Sequence, residues 1–188
     1  MRGIEELSEL LKSDEINSLG KDLGKRIQDK LERSGIYFHI FARVKEAGSI
    51  WHKLEWKKEE YLQKNKKMQD IVGIRIVLYY MDDIAICKEM LKNTYSIIEK
   101  DSHEDKPKVN EFNPLRMNYV CRIPEEFIER FPTKLWEDYR IDKTFEVQIR
   151  TTFSEGWHEV DHEVRYKHKE AWEQHYDFSR ELNGIYAT

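Results

Sequence analysis

Residues 70–80 read DIVGIRIVLYY. Aliphatic side chains occupy both sets of alternating positions, the pattern of a strand buried on both faces and therefore interior to a sheet. Two charged residues mark it: Asp70 at its mouth and Arg75 within it. Working outward, YFHIFARV (37–44), RMNYVCRI (116–123) and TFEVQIRT (144–151) are β-branched and aromatic enough to be further strands. Between them lie helical stretches. Ile4, Leu7, Leu10, Leu11, Ile16, Leu19, Leu23, Ile27 and Leu31 recur at helical spacing over 4–34. Residues 49–67 read as a basic helix with Lys53, Lys57, Lys58, Lys64, Lys66 and Lys67. Residues 82–98 suit a helix opened by acidic residues, and 153–183 read as mostly helix. Helices interleaved with strands predict an α/β (α+β) domain built around one sheet.

At 188 residues, with no linker or repeat, the chain reads as one domain. Its parts are an N-terminal helical segment over 1–35, a sheet core over 36–152 and a C-terminal helix over 153–188. Charged residues make up 36% and aromatics 12%, which describes a heavily ionic surface around a real core and argues against disorder. A net charge of −4 means that any basic site must be local. Cys87 and Cys121 form no CxxC and are expected as reduced, buried thiols of a cytoplasmic protein. The first residues, MRGIEELSELLKSDE, contain no apolar signal core, and no run approaches the ~18 apolar residues of a membrane span.

Three constellations carry chemistry. In FEVQIRT the two-residue period sets Phe145, Val147 and Ile149 on one face and Glu146, Gln148 and Arg150 on the other. A half-solvated strand alternates in the same way. Asp70 adds a second strand-borne acid, and carboxylates from distant segments are how sheets present hard oxygen ligands to Mg²⁺. Finally, ARVKEAGSIWHKLEWKK places Arg43 and Lys45 on one side of a strand end, then Ser49, Lys53 and Lys57 four residues apart along a helix start. That is a good cradle for a polyphosphate, although a solvated helix face looks similar.

Taken together, R-V-K with S-I-x-x-K-L, then D-I-V-G-I-R-I-V, E-V-Q-I-R-T, W-x-x-x-D-H and Y-K resemble the RelA/SpoT synthetase family, over about Arg43 to Lys167. Five blocks in the family's order make the likeness specific. The resemblance implies a mixed sheet flanked by helices, of nucleotidyltransferase type. It also implies transfer of pyrophosphate from ATP to the 3′-hydroxyl of a guanine nucleotide, GDP or GTP, giving the alarmone (p)ppGpp. By the same resemblance Arg43 and Arg75 sandwich the donor adenine, and Lys45, Ser49 and Lys53 hold the ATP phosphates. Asp70 and Glu146 bind Mg²⁺, with Glu146 also assisting deprotonation of the acceptor hydroxyl. Phe112, Gln148 and His162 fall on the acceptor side.

HEVDH, 158–162, matches the His-Glu-x-x-His pattern of zinc peptidases. His162 falls on the histidine of the family's W-x-x-x-[ED]-H block, and a zinc site leaves Asp70, Glu146 and Arg43 unexplained, so the pattern is read as coincidence. Departures from the family gather on the acceptor side. Its loop N-G-Y-R-S-x-H, whose tyrosine stacks on guanine, is replaced by PKVNEFNPLRMNYV, 107–120. Anchoring on Pro107, Lys108 and Asn110 puts Glu111 at the glycine and Phe112 at the tyrosine; anchoring on Tyr119 and Val120 puts Pro114 or Leu115 there. Glu155 and His158 replace the Asp/Asn and Ala of M-[DN]-x-W-A. Two other readings follow: a relative that pyrophosphorylates the 3′ CCA end of tRNA, and a non-enzymatic ligand-binding module. The tRNA reading requires a basic patch, with Arg116, Arg122, Arg130, Lys134, Arg140 and Lys143 as candidates. The module is disfavoured because both acids are present. No His-Asp hydrolase signature is found, so a synthetase-only chain is expected. Assembly through C-terminal helices, as in small members of the family, is a further expectation.

Overall fold

The computed structural model describes residues 2–12, 14–56, 67–106, 116–137, 141–160 and 175–186. Two helices, α1 (Arg2–Lys12) and α2 (Asp14–Arg33), lead into β1 (Phe38–Val44) and α3 (Ala47–Trp56). β2 (Val72–Leu78), α4 (Asp83–Thr94), β3 (His103–Glu104) and β4 (Met117–Arg122) follow. Then come the short helices α5 (Glu125–Ile128) and α6 (Thr133–Glu137), β5 (Thr144–Thr151), α7 (Thr152–Val160) and α8 (Tyr176–Tyr186). The sheet is mixed, as expected, with order β1-β2-β5-β4-β3. β2 pairs antiparallel with β1 and parallel with β5, so it is interior, as its apolar sequence requires.

Where sequence and structure differ, the reasons are local. The single helix read over 4–34 is two helices, because apolar periodicity runs on through Leu11 and Ile16 while acidic Asp14 and Glu15 open a new first turn. α1 packs against α3 as well as α2. The C-terminal helical stretch contains α7 and α8, with 161–174 outside the described residues. β3 has only two residues and leaves no alternation to read. Among the described residues no helix is long and apolar enough to cross a membrane.

One face of the sheet is closed by α2. Leu19, Leu23 and Ile27 from the helix are fully buried, as are Val72, Ile76, Phe145 and Val147 from β2 and β5, with Ile74 and Ile149 next to them at 1% exposure. Gly20 and Gly24 let helix and sheet approach closely: a Cβ built on Gly24 would lie 3.2 Å from Ala42 Cβ. Gly35, at φ +71°, turns the chain from α2 into β1 in a conformation that other L-residues adopt reluctantly. Cys87 and Cys121 are free and buried, and burial pushes both thiols up to about 12.

Candidate active site

The opposite face is open, and strand register decides what stands on it. Arg43 pairs with Gly73 and Phe41 with Arg75 across β1–β2; Gly73 pairs with Glu146 and Arg75 with Gln148 across β2–β5. Pairing sets partners on a common face, so Phe41, Arg43, Arg75, Glu146, Gln148 and Arg150 share the open side. Gly73 leaves a gap between Arg43 and Glu146 where a side chain would otherwise rise. Six of these residues and Asp70 line a cleft of about 210 Å³: Phe41, Arg43, Gly73, Arg75, Glu146 and Gln148. Arg150 stands one register step beyond.

Asp70 reaches the cleft because pairing continues ahead of β2. Met68 bridges Ile141, the Asp142 amide donates to Met68 O at 2.7 Å, and Thr144 Oγ1 donates to Gln69 O at 3.0 Å. Parallel pairing therefore brings the entry of β2 beside the entry of β5, and with it Asp70 towards Glu146. Lys45 Nζ lies 2.6 Å and Lys53 Nζ 2.9 Å from Asp70 Oδ2. Burial raises the pKa of Asp70, but the hydrogen bond and charge of Lys45, with those of Lys53, outweigh it and hold the carboxyl below its usual value. Asp70 Oδ1 is buried and accepts no hydrogen bond. A buried carboxylate oxygen without a donor is costly, and it is the chemistry a cation would satisfy.

A second charge network lies alongside. Gln148 donates to Glu146 Oε2 at 2.8 Å and accepts from Arg75 Nε at 3.3 Å. Glu155, in the first turn of α7, accepts from Arg75 Nη1 at 2.5 Å on one oxygen and from Arg150 Nη1 at 2.8 Å on the other. Burial works against the ionised Glu155, yet the bond and charge of Arg150, with Arg75, lower its pKa. Burial and the neighbouring Arg75 lower that of Arg150, which Glu155 opposes.

The structure thus brings together Arg43, Lys45, Lys53, Asp70, Arg75, Glu146 and Gln148. Ser49 is exposed near the start of α3, outside the cleft lining. Phe112 and His162 lie outside the described residues. Phe41 and the Glu155–Arg75–Arg150 network were not anticipated; the one sequence signal was Glu155 standing where the family pattern has Asp or Asn. His158 sits on α7 with its ring edge-on to Trp157, centroids 5.0 Å apart. Among the described residues no three His, Cys, Asp or Glu side chains cluster to hold a metal.

Residues 42–171 match the family model described as the region found in RelA / SpoT proteins. The chain belongs to the RelA/SpoT family. β2 and β5 lie wholly within that match, which begins inside β1, between Phe41 and Arg43. Within the family, the chain is 28% identical over 131 residues to GTP pyrophosphokinase YjbM of Bacillus subtilis, covering 69% of this chain and 56% of the relative. The alignment thus spans little more than half the length of that relative. The small alarmone synthetase 1 of Bacillus subtilis bound to AMPCPP superposes with TM-score 0.62 at 20% identity, covering 93% of this chain and 87% of the other. The same synthetase bound to its product pppGpp gives 0.58 at 24%, covering 80% and 77%. These structures share the fold of this chain.

Proposed function

We propose that the protein is a pyrophosphokinase that transfers the β,γ-pyrophosphate of ATP to the 3′-hydroxyl of a guanine nucleotide. The observation that carries this reading is the cleft itself, where Asp70, flanked by two lysines, and Glu146 meet on the open face of a RelA/SpoT sheet. A relative named GTP pyrophosphokinase, and related structures bound to AMPCPP and to pppGpp, support it.

In this reading Arg43 and Arg75 hold the adenine, a stacking role that a planar guanidinium serves better than an ammonium. Lys45 and Lys53 exchange part of their pairing with Asp70 for the ATP phosphates, helped by Ser49 and the N-terminal amides of α3. The acceptor 3′-oxygen attacks the β-phosphorus in line, the α,β-anhydride bond breaks and AMP departs. Glu146 takes the acceptor proton, held at the required angle by Gln148. Most of the rate enhancement comes from alignment and from neutralising charge on the phosphates. The residues fit a divalent cation such as Mg²⁺: Asp70 Oδ1 is an orphaned buried acceptor, and Glu146 lines the same cleft. When bound, that ion supplies positive charge to the transferring group.

Three of the six basic residues named for the tRNA reading are already paired with acids. Arg130 pairs with Asp22 at 2.7 Å and Lys134 with Glu6 at 3.2 Å, both on the helical layer away from the cleft. Arg116 pairs with Asp105 at 2.9 Å. Arg140 lies outside the described residues. Incubation with γ-labelled ATP and GDP, GTP or bulk tRNA in turn tests the choice. Label in a guanine nucleotide with stoichiometric AMP is expected. Label in tRNA alone selects the other acceptor, and no AMP with any acceptor overturns the pyrophosphokinase reading.

A further inference from the structure

Arg75 and Arg150 stand on adjacent strands, one register step apart on the same face, because Arg75 pairs with Gln148 and Val77 with Arg150. Two long cations so placed repel one another and have many rotamers to choose from. Glu155 resolves both problems with one carboxylate, each oxygen taking a different guanidinium, at 2.5 Å to Arg75 and 2.8 Å to Arg150. Gln148 Oε1 takes Arg75 Nε from another side at 3.3 Å. Two acceptors acting on two nitrogens of one planar group fix its tilt as well as its position. The side chains are well shielded, with 26% of Arg75, 14% of Arg150 and 20% of Glu155 exposed, so solvent competes weakly for these bonds. Glu159, at 3.8 Å from Arg75 but 66% exposed, is a minor contributor. α7 starts directly after β5, so the carboxylate is delivered by the strand that carries Glu146, Gln148 and Arg150.

We infer that Glu155 is a positioning residue for the base of the donor nucleotide, acting through Arg75. It sets the plane of the guanidinium that lines the cleft before any ligand arrives, so stacking on the base does not have to order that side chain. A glutamine cannot do the same, since its amide nitrogen would face one of the two guanidinium groups. The inference rests on the assignment of Arg75 to the ATP base made above.

The test separates three origins of an effect by using two probes. A non-hydrolysable ATP analogue and inorganic tripolyphosphate, which has no base, are titrated calorimetrically into wild type, Glu155→Gln and Glu155→Ala. Removing an acid beside an anion site would, by electrostatics alone, tighten both probes. Loss of the local fold would weaken both. Positioning of Arg75 weakens the analogue alone, by about 3- to 10-fold, the scale of ordering one long side chain on binding. Tripolyphosphate should then bind as tightly as before or slightly more tightly, and the isosteric Gln variant, though less stable, should still melt cooperatively above the assay temperature. Steady-state kinetics should show the same split, a raised KM for ATP with kcat at saturation within about 3-fold. Equal weakening of both probes, tightening of both, or no change for the analogue overturns the inference. Wild-type protein that binds no ATP analogue overturns the nucleotide assignment as well, which separates the two failures.

Discussion

The two faces of this sheet are made by alternate residues of the same strands, yet they obey opposite rules. Towards α2, Ile74, Ile76, Val147 and Ile149 are buried in one core with Leu19, Leu23 and Ile27, and close packing is the source of stability. On the other side, Arg43, Arg75, Glu146 and Gln148 surround a cleft, and like charges are held close by shared partners, Arg75 and Arg150 by Glu155 and Lys45 and Lys53 by Asp70. Because the β period is two, each side chain points to one regime or the other. Stability and chemistry should therefore separate under single substitutions.

The largest effect expected is on the open face. Glu146→Gln keeps shape and removes charge; it should lower pyrophosphate transfer by ~10³-fold or more, about 4 kcal/mol of transition-state stabilisation. Its melting temperature should stay within a degree or two of wild type. A variant with near-normal turnover would remove Glu146 from the chemistry and blur the contrast between the faces.

On the closed face, Leu23→Ala empties a fully buried site beneath β1 and β2. It should cost about 2–5 kcal/mol and, for a chain of this size, lower the melting temperature by ~5–15 °C. The KM for ATP, measured well below the transition, should not move. A changed KM with unchanged melting would show the faces to be coupled.

The two helix glycines sharpen the comparison within that face. A Cβ on Gly20 would meet Val72 Cγ1 at 3.7 Å and Val44 Cγ2 at 3.8 Å, ordinary contacts, whereas on Gly24 it would meet Ala42 Cβ at 3.2 Å. Gly20→Ala should thus stabilise by about 0.5–1 kcal/mol through helix propensity alone. Gly24→Ala should gain less or lose, because the methyl it presses on is attached directly to the β1 backbone. Denaturant midpoints decide, and equal gains would show that Ala42 yields.

The smallest effect is at the far edge of the sheet. Asp105 accepts from Arg116 Nε at 2.9 Å and the Arg116 amide at 3.0 Å, and contacts His103 Nε2 at 2.7 Å. Burial, the largest single influence, raises its pKa, but the bonds from Arg116 and His103 and the Arg116 charge together outweigh it and lower it from 3.8 to about 2. A carboxyl held below its unfolded value stabilises fully above that value, and the contribution disappears as pH falls towards about 2. Asp105→Asn should therefore lower the urea midpoint at pH 5 more than at pH 2.5. A deficit that is the same at both pH values would exclude the charge as its cause.

Much of this was readable before any coordinates. TFEVQIRT became β5 with both ends in place, and DIVGIRIVLYY became an interior strand, because alternation and apolar content are local signals. Asp70 and Glu146 could be nominated as a pair, but the reason they approach is long-range: Met68 meeting Ile141 and Gln69 meeting Thr144 across parallel strands. Lys45 and Lys53 were assigned to phosphates, and the structure adds that they first neutralise Asp70. Glu155 was visible only as a departure from the family pattern, since nothing in a linear pattern says that one carboxylate will span two strands.

The parallel junction of β2 with β5 has one more consequence. Everything from residue 79 to residue 143, including β3, β4 and the segment where the acceptor loop falls, is an excursion between two strands that are already neighbours. No described residue of the excursion lines the cleft, so a change confined to its loop leaves the carboxylates and arginines on the strands that carry them. On the pyrophosphokinase reading proposed above, the donor-side residues stand on β1, β2 and β5 and at the start of α3, and they keep their places when that loop changes.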